Sequence, residues 1–96
     1  DNNVISNIYN YDIINKTERE FENVTFKLVE PKGEIKLVGS PFAKVPKQGA
    51  TKGTFFVKIK ESDLKDEKVV LKIEVYNNGK VIETATTNFL GPRNFN

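Results

Sequence analysis

Apolar residues recur at every second position along most of this chain. Successive side chains of a β-strand point to opposite sides, so a period of two builds a ribbon with one greasy face and one wet face. Tyr9, Tyr11 and Ile13 alternate with Asn10, Asp12 and Ile14. Val24, Phe26 and Leu28 alternate with Thr25, Lys27 and Val29, and Ile35 and Leu37 flank Lys36. Phe55, Val57 and Ile59 alternate with Phe56, Lys58 and Lys60; Val69, Leu71, Ile73 and Val75 alternate with Val70, Lys72, Glu74 and Tyr76. Such ribbons gain stability only when their apolar faces meet, so the pattern predicts antiparallel sheets that are wet on the outside.

The punctuation between these runs agrees. Asn15-Lys16-Thr17 closes the first strand, and Pro31-Lys32-Gly33 has turn chemistry. Pro41, Pro46, Gly49 and Gly53 read as breakers in a longer connection. Asn78-Gly79 predicts the tip of a type I′ hairpin. From that tip, Val75 should face Ile82 and Ile73 should face Thr84. Continuing the phase would turn Phe89 to solvent, so a β-bulge is expected near Ala85 to Thr87 to bring it inward. The stretch from Glu61 to Lys68 is the only helix-like piece, with Ser62 as a cap and Leu64 pointing inward.

These signals predict about seven short strands and almost no helix, the pattern of an all-β, immunoglobulin- or fibronectin-III-like antiparallel sandwich. A closed five-stranded barrel is the alternative. The expected core is Tyr9, Tyr11, Ile13, Val24, Phe26, Leu28, Ile35, Leu37, Phe55, Val57, Ile59, Leu64, Leu71, Ile73, Val75 and Phe89. At 96 residues the chain is expected to form a single domain, 1–96. Its first residue is Asp1, which reads as a fragment of a larger protein. No apolar run approaches the roughly 20 residues that span a bilayer, and no signal peptide opens the chain.

Composition limits the chemistry. There are 0 Cys and 0 His, so no disulfide frame, thiolate metal site, or histidine base is available. Ser6, Ser40 and Ser62 therefore have no histidine to activate them. Glu18, Glu20 and Glu22, interrupted by Arg19, read as a solvated edge rather than a cation site, as do Asp63, Asp66 and Glu67. Phe56, Lys58 and Lys60 share a face, and Lys72 is the further lysine expected near it. Glu74 falls on the matching face of the next run, and the net charge is only +2, so a nucleic-acid partner is not expected. Phe56, Val70 and Tyr76 fall on outer faces, where they are either scattered apolar residues or a patch for a partner. Asn15-Lys16-Thr17 and Asn23-Val24-Thr25 match the glycosylation sequon, although the first also reads as turn chemistry.

The closing segment Thr86-Thr87-Asn88-Phe89-Leu90-Gly91-Pro92-Arg93 resembles the end of the FixG (CcoG) family of cytochrome c oxidase accessory proteins, which finishes on Phe–apolar–Gly–Pro–Arg. The run from Asn7 through Tyr9 and Tyr11 into Asn15-Lys16-Thr17 resembles the family's Asn-x-Tyr strand leading into Asn–Lys–Thr. Phe26-Lys27-Leu28-Val29-Glu30 before a glycine-containing turn is similar too, whereas Ser40 to Gly53 matches no family motif.

The resemblance implies the C-terminal immunoglobulin-like domain of a bacterial membrane protein. Its transmembrane helices and cysteine-ligated iron–sulfur clusters would lie elsewhere in the parent, which assists oxidase assembly and copper handling. On this reading the domain lies on the periplasmic side of the inner membrane. It is not an enzyme, holds no cofactor or metal, and inserts no residue into the membrane. It contacts a protein partner at the membrane or the rest of its own chain. Arg93 joins Phe56, Val70 and Tyr76 as a candidate contact residue, with a surface arginine as the plainer reading. The alternative is a generic extracellular adhesion or carbohydrate-binding sandwich.

Overall fold

The computed structural model describes residues 3–64, 66 and 68–90. Among them are β1 (Val4–Asn15), β2 (Phe21–Glu30), β3 (Glu34–Leu37), β4 (Ala43–Val45), β5 (Gly49–Lys60), β6 (Lys68–Asn77) and β7 (Lys80–Leu90). They form a three-stranded sheet in the order β1-β5-β3 and a four-stranded sheet in the order β4-β2-β6-β7. Every pairing is antiparallel. This is the all-β immunoglobulin-like sandwich that the alternation predicts.

The inward phases meet between the sheets. Phe55, Val57 and Ile59 of β5 pack with Leu28, Leu71, Ile73 and Phe89, and Leu64 closes one end. A second cluster joins Ile13, Val24, Ala43, Val45 and Val75. Tyr11 and Phe26 touch both clusters and weld them into one core. Their rings lie 5.0 Å apart, and Phe55 sits 5.2 Å from Phe26 and 5.3 Å from Tyr9. Such ring contacts add stability beyond the area they bury.

The stretch from Ser40 to Gly53 departs from the expected open connection. Ala43 and Val45 form β4 and are buried, and Gly49 and Gly53 lie inside β5. Three residues are too few to show a period, which hides β4. Gly53 pairs with Tyr11, and a Cβ placed on it would lie 2.4 Å from the Tyr11 ring. The glycine marks where the tyrosine ring lies across the neighbouring strand, not a break in the strand.

The β6–β7 hairpin has its expected tip, with φ of 51° at Asn78 and 82° at Gly79. Its register differs from the expected one. Val75 faces Glu83 and Ile73 faces Ala85, because the bulge lies at Ile82, between the Tyr76–Val81 and Val75–Glu83 pairs. From Glu83 to Leu90 the register is unbroken and delivers Phe89 to the core. Glu83 and Ala85 share Phe89's inward phase yet are exposed. The opposite sheet does not cover that corner, so turning Ile82 inward would bury nothing, and the extra residue is absorbed beside the tip. The helix-like piece is one 3₁₀ turn, Glu61–Asp63, which no side chain caps; Ser62 lies within it, and Leu64 is buried as expected.

Candidate functional site

The candidate contact residues do not converge. Phe56 is half-buried on the outer face of the three-stranded sheet, between Ile8 of β1 and Lys36 of β3. Val70 and Tyr76 belong to β6 in the other sheet, so they face the opposite side of the sandwich. Six residues of strand, roughly 20 Å, separate them. Val70 is 64% exposed opposite Asn88, while the Tyr76 hydroxyl donates to Glu74 Oε1 at 2.7 Å. Arg93, Gly91 and Pro92 lie outside the described residues.

The suspected basic face separates in the same way. Lys58 pairs across strands with Ser6 and Glu34, whereas Lys72 and Glu74 are in the other sheet. Among the described residues no group of three or more His, Cys, Asp or Glu side chains is placed to hold a metal ion, and no helix is long and apolar enough to cross a membrane. The groove between β2 and β3, lined by Thr25, Phe26, Ile35 and Leu37, is open and mostly apolar.

The polar groups that do converge hold strands together. Asn15 falls on the inward phase of Tyr9, Tyr11 and Ile13 and is only 1% exposed. Its Nδ2 donates to the carbonyls of Arg19 (2.7 Å) and Val45 (3.3 Å). Its Oδ1 accepts from the Thr17 N–H (2.9 Å) and the Thr17 hydroxyl (2.7 Å). Carbonyls only accept and an amide N–H only donates, so these partners fix which way the side chain is turned. One side chain thereby ties the β1–β2 turn to β4. Gln48 fastens the same turn from the β4–β5 side, its Nε2 donating to the Lys16 and Thr17 carbonyls at 2.9 and 3.2 Å. In this fold the first sequon is a turn lock built on its buried asparagine.

The other end of β1 clasps β7. Asn7, on the same inward phase, accepts the Leu90 N–H at Oδ1 (3.0 Å) and donates to the Leu90 carbonyl through Nδ2 (3.1 Å). It stands in for a peptide unit of a neighbouring strand. The Tyr9 hydroxyl donates to the Asn88 carbonyl at 2.7 Å. β1 therefore crosses the four-stranded sheet on a diagonal, from β7 at Asn7 to β4 at Asn15. The signal for both asparagines is in the alternation, since each puts a polar side chain on an otherwise apolar phase.

Burial raises the pKa of Tyr9 above its ordinary 10.0. The unfolded chain then releases this proton at lower pH than the folded one, so the stability linked to it is full below about pH 10 and is lost as pH rises toward the folded value. The comparison with Tyr9→Phe isolates this contribution from everything else that changes with pH. Denaturant midpoints measured between pH 8 and 11 should fall less steeply for Tyr9→Phe than for the parent chain. Equal slopes would contradict this.

A family model described as "IG-like fold at C-terminal of FixG, putative oxidoreductase" matches residues 1–92. No curated protein and no solved structure matches the chain.

Proposed function

The chain belongs to the family of IG-like domains at the C-terminus of FixG, and we propose that it serves its parent as a non-catalytic scaffold or protein-interaction module on the periplasmic side of the inner membrane. The observation that carries this reading is how the polar side chains are employed. Asn7, Tyr9, Asn15 and Gln48 are spent on holding strand ends and turns together. Ser40 donates to the carbonyl of Phe42 two residues on, a local turn contact. What such a fold offers a partner is surface and strand edge. In the parent protein, electron transfer then belongs to the clusters that the family resemblance implies elsewhere, and this domain contributes contacts needed for oxidase assembly and copper handling.

The test is removal of residues 1–96 from the parent protein in its membrane. Iron–sulfur content and the rate of electron acceptance from a chemical reductant should be retained, while the yield of assembled cbb-type oxidase falls. A parent that keeps its clusters but loses its electron-transfer rate would overturn the non-catalytic assignment. Unchanged oxidase yield would overturn the scaffold assignment.

A further inference from the structure

β7 pairs with β6 alone, and no described strand lies on its other side. Along a strand, main-chain groups alternate between the two sides. The Asn88 carbonyl and both main-chain groups of Leu90 point away from β6, where Tyr9 and Asn7 cover them. By the same alternation the N–H and C=O of Thr84 and Thr86 also point outward. Residues 81–86 are exposed without interruption on both faces. Folded proteins commonly blunt such an edge with lysine, proline or extreme shortness. The other edges follow that rule: β4 is 3 residues long and carries Lys44, and β3 is 4 residues long and carries Glu34 and Lys36. β1 is engaged at both ends, by β7 and β4, and carries Asp12 between them. From Val81 to Leu90 there is no lysine or proline, and Glu83 is the lone charge.

We infer that this stretch of β7 is a docking edge for a second copy of the chain, joined antiparallel about a two-fold axis at Ala85. In that register Thr84 of one copy faces Thr86 of the other, twice over. Each such pair exchanges two main-chain hydrogen bonds, all from groups that no described strand uses in the single chain. Glu83 faces Thr87 of the partner copy, so no like charges meet. The small Ala85 side chains meet at the axis, and the bulge at Ile82 bends each strand away before it reaches the other copy's Asn7–Tyr9 clasp. The result is one continuous sheet through both copies. An isologous contact of this kind closes on itself and does not propagate into a fibre. This deepens the scaffold reading by naming one partner. A chain that stays monomeric leaves that reading intact, and a parent whose oxidase yield ignores the domain leaves the pairing intact.

Sedimentation equilibrium of the 96-residue chain over a micromolar-to-millimolar series tests it. The mass should rise from 10.9 kDa toward twice that value. Thr84→Lys/Thr86→Lys places like charges opposite each other across the axis and should weaken association at least about tenfold. Both side chains are already exposed, and the ladder to β6 uses the alternate residues, so the fold should be kept, as checked by circular dichroism. Because the chain has 0 Cys, Ala85→Cys gives an independent measure: it should oxidise to a covalent dimer faster than Ser62→Cys. An unsubstituted chain at 10.9 kDa throughout overturns the pairing. So does a dimer indifferent to the lysines, or equal oxidation of the two cysteine variants.

Discussion

Asn15→Ala is expected to lower stability by about 3–4 kcal/mol and the melting temperature by roughly 15–25 °C. The side chain is small, so little of the loss is apolar area. The loss comes from what the truncation strands. The Val45 carbonyl loses the Asn15 donor, the Thr17 N–H loses its acceptor, and the Arg19 carbonyl is left with the Thr17 hydroxyl at 3.0 Å. Each unsatisfied buried group costs about 1–3 kcal/mol, and partial access of water to the exposed turn keeps the total below the sum. Asn15→Asp separates geometry from chemistry. A carboxylate fits the site and still accepts from Thr17, but its second oxygen then faces two carbonyl oxygens. Burial and that repulsion favour the protonated acid, whose O–H donates to one of them. The folded pKa of the new carboxyl is therefore raised above its unfolded value of about 3.9, and its stability deficit should shrink as pH falls from 7 toward 4. Thermal melts of the three chains at both pH values check this. An Asn15→Ala chain within about 1 kcal/mol of the parent would mean that the turn does not depend on the lock.

The alternation made the sheet faces legible because burial acts on every second residue over ten or more positions. Val57, Ile59, Leu71 and Ile73 are buried where that period puts them. Three things fell below its resolution. β4 spans three residues, less than two periods. Gly53 has no side chain to register on either phase, and only its neighbour Tyr11 shows why it is there. The bulge at Ile82 depends on how far the opposite sheet extends, a property of the assembled sandwich and not of β7 itself. The candidate contact surface suffered for the same reason. Period two assigns Phe56, Val70 and Tyr76 each to an outer face, but not to which sheet's outer face, because strand order is set by long-range pairing. Asn7 and Asn15 were visible as polar residues on an apolar phase. Their long-range partners lie 83 and 30 residues away at Leu90 and Val45, beyond the reach of any local pattern.

Phe89→Ala should cost about 3–5 kcal/mol, while Leu90→Ala, one residue on, should stay within about 0.5 kcal/mol of the parent. Phe89 is fully buried in the main core cluster, and Leu90 is 59% exposed on the other face of the same strand. The contrast tests the register directly: a one-residue slip would exchange the two values. The loss at Phe89 should not be confined to the cavity. β7 is an edge strand held near its end by two devices, the Phe89 ring in the core and the side-chain clasp of Asn7 and Tyr9 on the main chain of Leu90 and Asn88. Each device depends on the other to hold the strand in place. Removing the ring lets the strand end move and weakens the clasp, so Asn7→Ala should cost less in the Phe89→Ala background than in the parent. A coupling of about 1 kcal/mol is expected from a double-mutant cycle, since the two groups act through adjacent residues. Strict additivity would show that the clasp and the core hold β7 independently. Coupling would show that the order of this free edge is set from inside the sandwich.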